Sequence, residues 1–170
     1  YFRKYNWNLI RLSDYYSPLP DIFELRKNEK RWNKPSKLNG ISFDINQMKQ
    51  KVSYYVNTYY SEYKLLGSWD KITDIGYGPG IPEVDCFILY SIIRDIKPKI
   101  YIEIGSGLST NYVSLAREKN QEEGHELEMI CVEPNPYKKL YEIDSIEIIK
   151  NELQNIDISL FNKLGKDDML

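Results

Sequence analysis

A short stretch near the middle of the chain, KIYIEIGSGLSTNY from Lys99 to Tyr112, constrains the fold more than any other. Its first half alternates, because Ile100, Ile102 and Ile104 fall on one face of a period-two run. These residues are β-branched and favour strands. The stretch therefore predicts a buried strand that ends at Ile104, before a run of small residues.

Two glycines, Gly105 and Gly107, flank Ser106 directly after this strand. Glycine lets the backbone turn tightly and come close to a ligand, and Ser109 or Thr110 is expected to cap a helix that starts there. The free N–H groups and the positive dipole end of such a helix favour polar or anionic ligand groups. A strand, a glycine turn and a helix together predict a nucleotide-type site.

One acidic residue inside the strand narrows the choice of nucleotide. A buried carboxylate is costly unless it is hydrogen-bonded, so Glu103 needs a specific role. In a dinucleotide site this position is normally apolar and a third glycine stands where this chain has Thr110, which argues against NAD. A Walker phosphate loop is excluded because no Lys-Ser or Lys-Thr pair follows the glycines.

Two motifs resemble those of class I S-adenosylmethionine-dependent methyltransferases. The run Glu103–Ser109, EIGSGLS, is similar to the first motif of that family, and Glu128–Pro134, EMICVEP, is similar to the second. The resemblance is most specific over residues 98–136 and extends loosely from Tyr16 to the C-terminus. It implies a methyltransferase whose cofactor is S-adenosylmethionine.

The resemblance also implies where the cofactor binds. The glycine turn would hold its amino-acid end, and Glu103 would orient either that turn or the cofactor's ammonium group. Glu133 would accept hydrogen bonds from the ribose hydroxyls, and the segment after the third strand would lie near the adenine. The glycine-rich loop 76–80 either folds over the ligand or is an ordinary linker. The expected cofactor-binding residues are Glu103, Gly105, Ser106, Gly107, Ser109, Glu133, Glu152, Leu153 and Tyr77. Leu153 departs from the family, which often has a small residue there, and Tyr77 is expected to have few core neighbours among its glycines.

No catalytic base can be named from the sequence. In the family such residues usually follow the fourth strand, and Asp167–Leu170 resembles the approach to that strand. The expectation is therefore an incomplete methyltransferase that is inactive alone. Its open sheet edge would favour self-association or pairing with another chain.

The order of predicted elements gives the fold class, an α/β fold with a Rossmann-like, doubly wound parallel sheet of which about three strands are visible. Residues 1–80 are expected to form an N-terminal helical and irregular cap region, and residues 81–170 a Rossmann-like S-adenosylmethionine-binding domain. The first region has an extended stretch at 15–20 and an irregular connection from Trp32 to Gly40. The predicted helices span 21–28, 44–66, 82–97, 109–119 and 136–141, and the strands 99–104, 127–132 and 145–150.

The predicted helix 44–66 has apolar residues every three or four positions. Asp44 and Gln47 are spaced like a capping box at its start. Its expected buried face carries Ile45, Met48, Val52, Val56, Tyr59, Tyr63 and Leu66. Its five tyrosines are expected in the core and at its rim, with a stacking platform for a base or sugar as the alternative.

Composition excludes several partners and site types. The 170 residues carry a net charge of −2, so there is no basic field for nucleic acid. No apolar run reaches membrane-spanning length and Tyr1–Lys4 lacks a signal-peptide pattern, which favours a cytoplasmic protein. Cys86 and Cys131 are expected to be buried, inert thiols, and His125 to lie in a solvated loop, so no metal site is expected.

Two alternatives to the methyltransferase remain open. One is a non-catalytic nucleotide-binding or interaction module, and the other is an enzyme that uses another adenine nucleotide at the same turn. The acceptor of a methyl group is not specified by the sequence, so small molecules, glycans and proteins all stay possible.

Overall fold

The computed structural model describes residues 20–35, 44–78 and 80–170. The chain divides into two compact units, Tyr1–Phe43 and Asp44–Leu170. In the first unit, helix α1 spans Ile22–Lys27 and helix α2 spans Glu29–Trp32. Trp32 thus ends a helix, and its expected place in an irregular connection is wrong; the stretches 15–19 and 36–40 lie outside the described residues. The functional division at residues 80 and 81 stays a prediction.

Three helices precede the sheet in the second unit. Helix α3 spans Ile45–Lys64, α4 spans Trp69–Thr73 and α5 spans Glu83–Ile96. No helix was predicted between residues 66 and 82, so α4 is an addition to the prediction. It is held in place because the indole Nε1 of Trp69 donates to the carbonyl of Ile81 at 3.2 Å.

Helix α3 begins as predicted but buries only the later part of its expected face, where Tyr63 is buried and Tyr59 and Leu66 are half-buried. The Asp44 carboxylate accepts hydrogen bonds from the N–H groups of Asn46 and Gln47 at 2.8 and 3.1 Å, which caps the helix. Tyr55 and Tyr63 are buried. The first four residues of the expected face, Ile45, Met48, Val52 and Val56, are 45–54% exposed instead.

Polar contacts with α5 explain why only part of the expected face is buried. The Glu62 carboxylate accepts hydrogen bonds from Tyr90 Oη at 2.5 Å and from Arg94 Nε at 2.8 Å. Lys51 and Tyr54 both bond to Asp95, next to Arg94 at the C-terminal end of α5. Because these side chains fix which side of α3 meets α5, the early apolar residues stay at the surface.

Three parallel strands form the sheet, in the order β1, β2, β3. Strand β1 spans Ile100–Ile104, β2 spans Glu128–Val132 and β3 spans Ile146–Ile149. Helix α6, Leu108–Glu122, connects β1 to β2, and three short 3-10 helices follow at Lys138–Glu142, Leu153–Asn155 and Ile158–Lys163. The mixed α/β fold and its parallel sheet are as expected, whereas the Rossmann-like identity stays a prediction.

The last residues of the chain pair with β1 on its other side. Met169 bridges to Tyr101 in parallel, with Met169 N donating to the Ile100 carbonyl at 3.0 Å and Ile102 N donating to the Met169 carbonyl at 2.9 Å. The N–H of Gly105 points to the opposite side of β1 from that of Ile102 and donates to β2. The chain therefore leaves β1 toward β2 and returns to the edge of β1 that faces away from β2.

An aromatic cluster joins the helices above the sheet. Tyr63 of α3 stacks on Tyr112 of α6 with ring centroids 5.6 Å apart, and it meets Phe87 and Tyr90 of α5 edge-on. Tyr54 and Tyr60 are 47% and 44% exposed. The tyrosines of α3 thus lie in the core and at its rim, as expected.

Arg94 is the main polar member of this core. It is 5% exposed and bonds to Glu62, Glu123 and Asn120. Bonds from Arg94 and Lys97 hold the pKa of Glu123 at about 2. Arg94 therefore ties together α3, α5 and the end of α6.

The predictions about the two cysteines and the histidine are confirmed. Cys86 and Cys131 are buried free thiols, and burial raises their pKa to about 11 and about 12. His125 is exposed between α6 and β2.

Within the described ranges, no three His, Cys, Asp or Glu side chains are placed to hold a metal ion, and no helix has the length and hydropathy to cross a membrane.

Candidate functional site

The carboxyl ends of the three strands bring the predicted residues to one edge of the sheet. Gly105 N donates to the carbonyl of Val132 at 2.9 Å, and Glu133 N donates to the carbonyl of Ile149 at 3.1 Å. Gly105 and Glu133 therefore follow neighbouring strands at the same level. Residues that follow β3 continue this edge.

Gly105 presents open space at this edge. Its φ is +82°, a left-handed conformation that side chains rarely adopt, and a β-carbon placed on it would meet nothing within 4 Å. The residue is exposed. A ligand can therefore approach the backbone here without displacing protein atoms.

The start of α6 is capped from within its first turn. Gly107 precedes the helix, and its N–H donates to the Thr110 hydroxyl at 2.9 Å. Of the two expected capping residues, Thr110 thus makes the contact. Ser109 is half-buried in the first turn.

Glu103 is buried and bonded to protein groups. The residue is 7% exposed. Its carboxylate accepts hydrogen bonds from Tyr101 Oη at 3.1 Å and from the Thr110 hydroxyl. Burial raises the pKa of Glu103, and this effect exceeds the opposite one of the surrounding hydroxyls. Of the two roles expected for Glu103, these contacts favour orientation of the glycine turn over a bond to a ligand ammonium group.

Ser106, one of the expected cofactor-binding residues, is buried. It is 6% exposed, and its Oγ makes no hydrogen bond of acceptable geometry to the part of the chain that the structure describes. Its hydroxyl is nevertheless near enough to lower the pKa of Glu103 and Cys131 against the larger effect of burial. Ser106 therefore faces the interior beside β1 and β2.

Glu133 combines a place at the edge with a local structural contact. It is 5% exposed, and its Oε1 accepts the N–H of Asn135 at 2.8 Å. This bond closes the turn that Pro134 and Pro136 force on the chain after β2. One carboxylate oxygen of the predicted ribose acceptor is thus engaged by the turn.

The glycine-rich loop before α5 lies against this site. A β-carbon on Gly78 would collide with the ring of Tyr137, and one on Gly80 would collide with the side chain of Leu108. A β-carbon on Gly107 would lie 2.9 Å from the carbonyl oxygen of Tyr77. The loop therefore packs on the glycine turn, the start of α6 and the segment after β2. Its residue 79 lies outside the described residues.

Tyr77 belongs to the core, and the expectation that it lacks core neighbours is wrong. It is 6% exposed and lies in the hydrophobic core cluster. Burial raises the pKa of its phenol, and Lys139 acts in the opposite direction. Its role as a cofactor contact stays a prediction.

Glu152 and Leu153 lie at the outer end of the edge. Both are exposed and follow β3, so β2 separates them from the glycine turn. Glu152 N donates to the Asn151 side chain at 2.9 Å, and Leu153 begins a 3-10 helix. Their predicted contact with adenine stays a prediction.

Three site residues were missed by the sequence analysis. Thr110 was considered only as a cap and as the residue in place of a third glycine, and neither Tyr101 nor Tyr137 was singled out. A signal existed for Tyr101, because it lies two residues before Glu103 and so on the same strand face. Tyr137 gave no local signal, since its contact with Gly78 joins segments far apart in sequence.

Comparisons with known proteins returned no match: no family model, no curated protein and no solved structure corresponds to this chain. The functional argument therefore depends on the residues at the sheet edge.

Proposed function

We propose that this chain is the cofactor-binding part of an S-adenosylmethionine-dependent methyltransferase. The observation that carries the proposal is the juxtaposition of Gly105, open to the surface, with Glu133 on the neighbouring strand. The alternatives are a non-catalytic nucleotide-binding module and an enzyme that uses another adenine nucleotide. Both are outcomes of the test below.

Topology supports a ligand at this edge. In open parallel sheets, ligands bind outside the carboxyl ends of the strands where the strand order reverses. Here the chain passes from β1 to β2 on one side and returns with Met169 on the other side of β1. Gly105 follows the strand at this point of reversal.

The residues fit S-adenosylmethionine at two of the expected points. In this proposal the open face of Gly105 admits the amino-acid end of the cofactor, and the Glu133 carboxylate at the end of the neighbouring strand accepts the ribose hydroxyls. Glu103 does not fit as a direct ligand, because Tyr101 and Thr110 already bond to it. We therefore assign it to the support of the turn.

When bound, the cofactor supplies a methyl group that its sulfonium already makes electrophilic. The chain's own residues then have to bind and orient it, which is the larger part of catalysis in such a transfer. Gly105 and Glu133 set its position. Glu152 and Leu153 would contact its adenine. No residue is assigned as a catalytic base.

A ligand panel tests the proposal. The melting temperature is measured with S-adenosylmethionine, S-adenosylhomocysteine, NAD and ATP, and binding is quantified by titration calorimetry. A ligand at about 100 times its Kd stabilises by about 2.7 kcal/mol, which corresponds to a shift of about 5–10 °C for a chain of this size. We expect this shift with S-adenosylhomocysteine and not with NAD or ATP.

The other outcomes identify the alternatives. A shift with ATP or NAD alone would favour another adenine nucleotide, and no shift with any ligand would refute the proposal. Because no metal role is expected, the affinity for S-adenosylhomocysteine should be unchanged in EDTA. Binding without methyl transfer in the full natural protein would favour a non-catalytic module.

A further inference from the structure

We propose that Thr110 is a positioning residue, which fixes the glycine turn for ligand binding by linking the Glu103 carboxylate to the Gly107 N–H. This inference rests on the proposed function. It deepens that function by assigning the residue that holds the turn in shape.

The contacts form a continuous chain from strand to turn. The Thr110 hydroxyl donates to Oε2 of Glu103 and accepts the N–H of Gly107 at 2.9 Å. Thr110 is fully buried, and Tyr101 Oη bonds to the other oxygen of Glu103 at 3.1 Å. Strand β1, the turn and the first turn of α6 are thus joined through one hydroxyl.

A hydroxyl has one proton, and this gives the link a direction. Since Thr110 donates that proton to Glu103, its lone pairs face Gly107 and accept the backbone N–H. A carboxylate acceptor strengthens the donated bond. The buried Glu103 therefore keeps the Thr110 hydroxyl oriented, and the hydroxyl keeps the Gly107 N–H directed inward.

The position of Gly107 matters because of what lies beside it. Its Cα faces the Tyr77 carbonyl, so the turn cannot move toward the loop without a collision. On its other side the open face of Gly105 is the surface that a ligand would meet. Fixing Gly107 therefore sets the shape of the ligand-facing backbone.

The test compares three variants in the full chain, with S-adenosylhomocysteine as the probe. Thr110→Val keeps the shape of the side chain and removes both hydrogen bonds, whereas Thr110→Ser keeps the hydroxyl. Ser114→Ala is the matched control, because Ser114 is a buried hydroxyl one turn later on α6 whose recorded side-chain bond is to Arg117. Calorimetry gives the affinity, and hydrogen exchange gives the protection of the Gly107 amide without ligand.

We expect Thr110→Val to speed exchange at Gly107 and to weaken binding about tenfold, because a turn that holds its binding conformation only about a tenth of the time binds about ten times more weakly. Thr110→Ser and Ser114→Ala should bind within about threefold of the parent protein. Where the valine variant does not fold, Thr110→Ala removes the same hydroxyl and replaces it in the comparison.

Three results would overturn the inference. They are an unchanged affinity in the variant without the hydroxyl, an unchanged exchange rate at Gly107, and a serine variant as weak as the valine variant. If the parent protein fails to bind the probe, the proposed function fails. In that case the exchange rate at Gly107 still decides whether Thr110 fixes the turn.

Discussion

Replacing Gly105 by alanine separates the ligand from the backbone at the candidate site. Gly105 has φ +82° and Gly124 has φ +83°, and a β-carbon on either would meet nothing within 4 Å. Gly105 precedes α6, whereas Gly124 follows it. Gly124→Ala is therefore a matched control with the same strain and the same open space, at the other end of the helix.

The two substitutions should cost the same stability. A left-handed conformation costs a residue with a β-carbon about 1–2 kcal/mol, and no steric clash adds to this at either position. For a chain of this length such a loss lowers the melting temperature by about 2–8 °C. Calorimetric unfolding of both variants measures it.

The affinity for S-adenosylhomocysteine should differ between them. Only the methyl group at position 105 enters the space that a ligand at the glycine turn would occupy, so Gly105→Ala should weaken binding at least about tenfold, an effect of about 1.4 kcal/mol. Gly124→Ala should bind like the parent protein. Titration calorimetry at a temperature well below both melting points makes the comparison.

The result that refutes this reasoning is specific. If the parent protein binds the ligand and both variants bind it equally well, the open face of Gly105 is not part of the site. An equal loss of affinity in both variants would show instead that general destabilisation, and not the position of the methyl group, controls binding.

Two further predictions concern the buried acids. Glu133→Ala should weaken binding of S-adenosylhomocysteine about ten- to a hundredfold. Glu133→Gln keeps an oxygen that can accept the Asn135 N–H, so it separates the effect on the ligand from the effect on the turn. If calorimetry finds an unchanged affinity in the alanine variant, Glu133 is not part of the site. Glu103→Gln should remove a pH dependence of stability. Because burial raises the folded-state pKa of Glu103 above its ordinary value of 4.5, its contribution is full below that value and declines as the pH rises through the folded pKa. Urea unfolding from acid to neutral pH gives the free energy of unfolding of the parent protein and of the variant. The parent value minus the variant value should fall as the pH rises, and a difference that does not change with pH would contradict the prediction.

The central strand, turn and helix were predictable because their signals are local. The isoleucines of β1, the glycines that follow and the acid-rich start and basic end of α5 each act within a few residues. The bounds of β2 and β3 are within one residue of prediction at each end. Ile104 shows the limit of this reasoning, since it shares the alternating pattern but is 40% exposed where β1 ends at the sheet edge.

The burial of α3 was not predictable from the same kind of pattern. Its apolar spacing identifies a helix, but the side that meets α5 is selected by Glu62, Lys51 and Tyr54, whose partners lie about 30 to 45 residues away. The burial of Arg94 was not predictable for the same reason. A basic residue in a last helical turn is usually exposed, and only the positions of Glu62 and Glu123 make its burial favourable.

The glycines of the site show how two local signals combine into one structure. The loop and the turn were each recognised from their own glycines, yet the contacts run between them: Gly80 makes room for Leu108, and Gly107 makes room for the Tyr77 backbone. Each segment thus needs glycine because of the other segment, a requirement that spacing along the chain does not reveal. Since the loop closes the Gly107 side of the turn and Gly105 faces open space, a ligand at this sheet edge has to approach from the Gly105 side, toward Glu133.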